Sequence, residues 1–228
     1  MATLVEQLKA DFRIIEGLKS CINCGTCTAI CPAAGVNDYD PRVIADTVQQ
    51  YNEATLIDLL KSDTIWMCGE CLSCKTRCPR DNAPGYIIQA LRSLSIETGL
   101  FIESKQGQKQ LAVKRTVGEH ILKYGYCVYI DEVNLEMYPE QGPVWKWLLE
   151  NRKQILERLG TSYGKEKNGS LRNIPEESLN NLKKIFDETG ATKRFEKIEH
   201  YSKLNAKQQG VDFDTGNNCD YFKKIYEE

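Results

Sequence analysis

The sequence predicts a mainly α-helical protein organised around two cysteine-rich loops, on three observations. Apolar residues recur at three- and four-residue intervals through the segments outside the loops. Start and stop signals bracket those segments, with Pro41 and Pro84 at first helical positions and glycines such as Gly99 and Gly125 at the ends. Between Cys31 and Cys68 lie 36 residues, which is room for helix rather than for a short stranded link.

Leu4, Leu8, Phe12 and Ile15 lie on one helical face before the first cysteine run. Asp40-Pro41 opens the next helix, continued by Ile44, Val48 and Tyr51; Leu56, Ile57 and Leu60 make a short helix before the second run. From Pro84, a helix carries Ile87, Ile88, Leu91 and Leu94 up to Gly99. Val113, Val117, Ile121 and Tyr124 form a stripe that stops before Gly125. Trp145, Leu148, Ile155 and Leu159 form another, between Gly142-Pro143 and Gly160, with Trp145 and Trp147 expected in the core. Leu179, Leu182 and Phe186 lie between Pro175 and Gly190, and Phe195 and Ile198 begin a last short helix. The polar stretch from Gly160 to Asn173 reads as an exposed linker. The tail from Gly210 to Glu228 is polar apart from Phe213, Tyr221, Phe222, Ile225 and Tyr226, and is expected to be disordered alone and to dock on a partner.

Length and composition narrow the function. The 228 residues suit one domain with an extension, or two small domains, and can bury a core without disulfides. Thirty basic and 32 acidic residues give a net charge of −2, which argues against nucleic-acid binding. No apolar run approaches the roughly 18–20 residues of a membrane span, and the first residues lack the blocks of a signal peptide. A cytoplasmic location is therefore expected, with any membrane contact peripheral and made through partners. Of the first 100 residues 21 are charged, against 41 of the remaining 128. We expect a cluster-bearing domain over 1–125 and a helical extension over 126–228 that contacts other subunits.

Ten cysteines are the outlier. Eight fall into two runs, Cys21-x₂-Cys24-x₂-Cys27-x₃-Cys31-Pro32 and Cys68-x₂-Cys71-x₂-Cys74-x₃-Cys78-Pro79, related by a constant offset of 47 residues. Such a repeat is two copies of one metal-binding unit. Zinc sites use separated cysteine pairs. Three cysteines at intervals of three instead let one tight loop present three thiolates to a cubane, while the fourth lies beyond its reach. The expected cofactors are two [4Fe–4S] clusters.

The helical link resembles that of the α-helical ferredoxin domain found in succinate dehydrogenase iron–sulfur subunits. In two-cluster ferredoxins the fourth cysteine of each run ligates the other cluster. Carried over, one cluster takes Cys21, Cys24, Cys27 and Cys78, and the other takes Cys68, Cys71, Cys74 and Cys31. Lys75, Arg77 and Arg80 beside the second run read either as a solvated face or as charges that offset an anionic cluster or steer an acidic partner.

Cys21-Ile22-Asn23-Cys24-Gly25-Thr26-Cys27-Thr28-Ala29-Ile30-Cys31-Pro32 resembles the first motif of the HdrC family, the C subunits of heterodisulfide reductase. Trp66-Met67-Cys68-Gly69-Glu70-Cys71-Leu72-Ser73-Cys74-Lys75-Thr76-Arg77-Cys78-Pro79 resembles its second. The likeness covers roughly residues 1–125. It implies an oxidoreductase subunit that relays electrons between two partners. One is a flavoprotein (the A-type subunit), and the other bears the disulfide active site on Cys-Cys-Gly motifs (the B-type subunit). This chain has no Cys-Cys-Gly sequence and no nucleophile–base constellation, so no catalytic residue is expected on it. The resemblance extends to the related complexes of sulfur-oxidising prokaryotes, where a lipoate-binding protein joins the pathway. Two alternatives are an iron–sulfur subunit of a quinone-linked dehydrogenase, whose plant-type C-x₄-C-x₂-C run is missing, and a structural cluster protein. Cys127 and Cys219 stand outside both runs and are expected to be buried thiols; His120 and His200 are not expected to be ligands.

Overall fold

A computed structural model of the protein describes residues 2–36, 39–133, 135–136 and 138–227. The fold is mainly α-helical, with no strand among the described residues. Contacts divide the chain into two compact units: Met1–Lys109 with His200–Asn205, and Gln110–Glu199 with Ala206–Glu228.

In the first unit, α1 (Leu4–Ala10) opens with a capping box in which Thr3 Oγ1 accepts from the Glu6 N–H and the Glu6 carboxylate accepts from the Thr3 N–H. The single face expected from Leu4 to Ile15 breaks at Asp11. That residue ends α1, and its carboxylate accepts from the Arg13 N–H to open α2 (Phe12–Gly17). The helical phase resets, so Leu8 and Ile14 are buried while Phe12 and Ile15 are 71% and 61% exposed.

The first cysteine run contains the short α3 (Thr26–Ile30). Then α4 (Pro41–Gln49), α5 (Glu53–Lys61) and α6 (Pro84–Thr98) form as the sequence signals require, and Gly99 closes α6 in the left-handed conformation. Ile87, Ile88 and Leu91 of α6 are buried in one core with Leu8, Ile14, Ile44, Val48 and Leu60. Burial of each such side chain contributes about 1.5–3 kcal/mol. Glu53 of α5 accepts from the Leu4 and Val5 N–H groups, satisfying amides that α1 leaves free. A 3₁₀ turn over Leu100–Glu103 and α7 (Lys105–Gln108) complete the unit's main run of chain.

Gly17 is required by a close approach. A Cβ there would stand 2.9 Å from Tyr86 Cβ, and the Ala83 N–H donates to Gly17 O at 2.8 Å. The contact sets the entry to the first cysteine run against the first turn of α6.

In the second unit the Val113-to-Tyr124 stripe is not one α-helical face. α8 (Gln110–Val113) runs into a π-helical turn over Lys114–Gly118 and then α9 (Glu119–Tyr124). The wider turn shifts the phase, leaving Val113 half exposed and Arg115 buried. The Arg115 guanidinium donates to both Glu199 carboxylate oxygens at 2.8 Å and to the carbonyls of Asp214 and Gly216, beside the rings of Phe213 and Phe222. Burial opposes ionisation of Glu199, but hydrogen bonds from Arg115 and Lys114 outweigh it and hold the carboxyl below its usual range.

Three expectations need correction here. In α10 (Gly142–Arg158), Leu156 is buried while Leu159 and Trp147 are exposed; Leu159 is the C-cap rather than part of the apolar face. After α11 (Glu176–Glu188), the last short helix is instead the 19-residue α12 (Ala191–Gln209). The tail is not disordered: α13 (Asp220–Glu227) buries Tyr221, Phe222 and Ile225, and Arg115 supplies donors for the bend before it.

Candidate metal centre

Both cysteine runs lie in the first unit, and the 47-residue repeat in sequence is a repeat in conformation. Asn23 and Glu70, two residues after the first cysteine of each run, adopt left-handed backbone with φ of 57° and 53°. Gly25 and Leu72, again 47 apart, do the same at 80° and 57°. The left-handed turn aims the Asn23 N–H at Cys21 Sγ (3.4 Å) and the Glu70 N–H at Cys68 Sγ (3.3 Å). Thr26 Oγ1 lies 3.3 Å from Cys24 Sγ, and Ser73 Oγ lies 3.5 Å from Cys71 Sγ. These hydroxyls hold the exposed Cys24 and Cys71 thiols below their usual range, whereas burial pushes Cys27 and Cys74 up.

Each loop is fastened by an arginine from the helix that comes after it. Arg42 of α4 donates to Asn23 Oδ1 at 2.8 Å. Arg92 of α6 donates to Ile65 O and Cys68 O, both at 2.7 Å, and pairs with Glu70. Gly85, in the first turn of α6, admits the second loop: a Cβ there would meet Leu72 Cδ2 at 2.8 Å and Cys74 Sγ at 3.9 Å. α3 packs against the 3₁₀ turn Lys75–Arg77, so corresponding parts of the two runs face each other.

One side chain links the end of the second run to the entry of the first, and another lies among cysteines of both runs. Tyr39 is 2% exposed, and its burial, together with the nearby Cys68, Cys31 and Cys74 thiols, pushes its hydroxyl well above the usual phenol range. Asn82 Nδ2 lies 3.7 Å from Cys78 Sγ, while Asn82 Oδ1 accepts from the Lys19 N–H and Nδ2 also reaches Ser20 O, next to Cys21. Among the described residues no three His, Cys, Asp or Glu side chains converge as a single ion would require. A cubane takes one thiolate at each of four irons, so its ligands stand apart. Soft thiolate donors with N–H groups and hydroxyls turned toward sulfur suit an anionic iron–sulfur cluster.

Tyr39, Asn82, Arg42 and Arg92 were not legible as site residues, because none belongs to the cysteine spacing. Lys75, Arg77 and Arg80 are exposed, and no ion pair involves them among the described residues. Cys219 is buried as expected, but Cys127 is exposed, two residues beyond the Gly125 helix stop. His200 is exposed.

Residues 17–82 match the model of a 4Fe–4S dicluster domain. The chain is 36% identical over 162 residues to the C subunit of the ferredoxin:CoB-CoM heterodisulfide reductase of Methanosarcina acetivorans, covering 70% of this chain and 62% of that one. It is 32% identical over 149 residues to the protein of the same description from Methanosarcina mazei, covering 60% of this chain and 83% of the relative. The chain belongs to the HdrC family. A third relative, the iron-sulfur C 2 subunit of the CoB--CoM heterodisulfide reductase of Methanocaldococcus jannaschii, is 32% identical over 129 residues, 57% of this chain and 62% of that one. The match thus spans less than two thirds of the length of several relatives in the family. No helix among the described residues is long and apolar enough to cross a membrane.

Proposed function

We propose that this chain is an electron-transfer iron–sulfur subunit of a heterodisulfide reductase-type complex, holding two [4Fe–4S] clusters through crossed ligands. Cys21, Cys24, Cys27 and Cys78 hold one cluster; Cys68, Cys71, Cys74 and Cys31 hold the other. The observation that carries the reading is the pair of loops with the same backbone turns and the same N–H-to-sulfur bonds, 47 residues apart. The crossing is supported by Asn82, which joins Cys78 to the entry of the first run, and by buried Tyr39, whose hydroxyl is pushed up by thiols of both runs.

When bound, such clusters take up and release single electrons. The chain's own residues hold and tune them. Backbone N–H groups of Asn23 and Glu70 donate toward ligand sulfur, and Arg42 and Arg92 keep the two loops in the conformation that aims those groups. Lys75, Arg77 and Arg80 place positive charge beside the second loop, which favours added negative charge there. The relay runs between the flavoprotein and the Cys-Cys-Gly protein of the complex, with residues 126–228 contacting these partners in a cytoplasmic assembly. The CoB-CoM names of the relatives support the disulfide-reducing branch over the sulfur-oxidising one with its lipoate-binding protein.

The test is cofactor content with a redox titration. Protein purified without oxygen should carry about eight iron and eight sulfide, since two cubanes need four thiolates each. It should also show two clusters reducible by dithionite. Stoichiometric zinc without brown absorbance would refute the cofactor. Clusters that resist reduction at every potential reached would favour a structural role.

A further inference from the structure

The two cysteine runs share their backbone turns but not their surface charge. From Cys21 to Pro32 the first run holds no charged residue. From Cys68 to Arg80 the second holds Glu70, Lys75, Arg77 and Arg80. At equal positions of the repeat, Thr28 stands against Lys75, Ile30 against Arg77 and Ala33 against Arg80. The register ends just beyond these pairs, because the links to the following helices differ in length. From Pro32 to Pro41, the first residue of α4, is nine positions; from Pro79 to Pro84, the first of α6, is five.

The fold makes little use of these cations. Arg77 and Arg80 are exposed and form no ion pair among the described residues. Lys75 is exposed as well, with its ammonium 4.8 Å from the centre of the Tyr86 ring. The neighbouring carboxylates are already engaged: Glu70 pairs with Arg92 at 2.5 Å, and Asp81 with Lys19 at 3.6 Å. A positive face therefore stands on a chain whose net charge is −2. The turn that carries Lys75 and Arg77 packs against α3 of the first run. In that run Ile22 and Ile30 are 58% and 39% exposed. Exposed apolar side chains bordered by charge are the make-up of a protein-binding surface, the apolar part for contact and the charged rim for encounter and orientation.

We propose that Lys75, Arg77 and Arg80 are the docking surface for an acidic redox protein that exchanges electrons with the clusters held beside them. This rests on the electron-transfer reading above and names the chemistry of one partner, whose contact face is rich in carboxylates. A guanidinium offers a carboxylate two parallel N–H donors. Exposed positive charge also speeds encounter with a partner of opposite sign, and salt screens that attraction. The uncharged first run lacks it. One electron passes between the partner's cofactor and a cluster, and no bond or proton changes place.

The experiment is calorimetric titration of the full-length, cluster-loaded chain with flavodoxin, an acidic redox protein, and with cytochrome c, a basic one. Flavodoxin should bind more tightly than cytochrome c, with a Kd that rises as sodium chloride is added. Arg77→Gln/Arg80→Gln should raise that Kd about three- to tenfold at low salt, the size of two exposed charge pairs, and flatten its salt dependence. Lys61→Gln/Lys105→Gln, the same charge change at exposed lysines elsewhere in the unit, should leave it in place. Arg77→Lys/Arg80→Lys should bind better than the Gln pair. Iron content and EPR signals should match wild type in every variant. Should the Gln pair lose iron, Arg80→Gln alone, outside the cysteine run, carries the comparison. Equal affinity for the two probes, a Kd indifferent to salt, or an equal loss in Lys61→Gln/Lys105→Gln would each overturn the proposal. So would midpoints that shift in the Gln pair while flavodoxin affinity holds, which leaves the cations to offset cluster charge alone. Clusters that resist dithionite while flavodoxin still docks would instead bring down the electron-transfer reading, and the exchange with it, but not the docking.

Discussion

Replacing Arg92 with Met keeps an apolar stem but removes the fastening of the second loop and the guanidinium that stands over the Trp66 ring. Arg92 is 17% exposed at its side chain and donates to Ile65 O and Cys68 O, both at 2.7 Å. Ile65 is fully buried, so its carbonyl gains no water when the guanidinium goes. The pair with Glu70 adds little, because that carboxylate is 41% exposed and screened by solvent. Losing two charge-assisted bonds to carbonyls, one of them buried, costs about 2–4 kcal/mol. If that cost falls on the closed state of the loop, its open population rises roughly 30- to 1000-fold. The repeat supplies the comparison, since Arg42 makes one bond to the first loop and its side chain is 34% exposed. Arg42→Met should therefore cost about 1 kcal/mol or less. The assay is the rate of iron release from loaded protein into a ferrous chelator without oxygen. Arg92→Met should release about half its iron at least tenfold faster than wild type, with Arg42→Met close to wild type. Equal rates in all three, or a faster Arg42→Met, would refute the assignment of Arg92 as the fastening.

Cys31→Ser should perturb the EPR signal that Cys71→Ser perturbs, although Cys31 belongs to the first run; a change confined to the signal altered by Cys24→Ser would dismiss the crossing. Arg115→Met should destabilise the second unit by about 2–4 kcal/mol, since the carbonyls of Asp214 and Gly216 lose their donor and Glu199 keeps only Lys114. Hydrogen exchange over residues 206–228 should report this while iron content holds. The depressed Glu199 carboxyl adds stability that is complete above its ordinary pKa and is lost as pH falls through its lower folded value. Glu199→Gln should therefore flatten the acid limb of an exchange-monitored titration of that unit; an unaltered limb would dissociate the pair from acid stability. Gly85→Val should slow or prevent loading of the second-run cluster, because a side chain there collides with Leu72 beside Cys74.

Much of the first unit was legible because its signals are local. Asp40-Pro41, Pro84 and Gly99 bound α4 and α6, and cysteine spacing alone marked the loops. What was missed depends on non-local pairing or on phase. Asp11 reads as one more polar residue on an amphipathic stripe, yet its carboxylate caps α2 and resets the face. The π-helical turn at Lys114–Gly118 breaks a stripe that assumed 3.6 residues per turn. The tail read as disordered because it is polar apart from a few aromatics; of these Tyr221 and Phe222 are buried, and Phe222 and the half-buried Phe213 lie beside Arg115.

The same distinction explains why the cysteine runs were legible and the residues packed around them were not. A cluster loop must repeat cysteine at fixed intervals, since the spacing is set by the cubane itself. A neighbour of cysteine sulfur need only arrive from somewhere, and in this chain Asn82 arrives from beyond the second run. Extending the offset of 47 beyond the cysteines would have paired Tyr39 with Tyr86 and suggested two equivalent tyrosines. The four-residue difference between the links removes that equivalence by placing one ring ahead of its helix and the other within it. Two runs with the same loop therefore have different surroundings without any change in their cysteines. The asymmetry lies in the links between the cysteines and the helices.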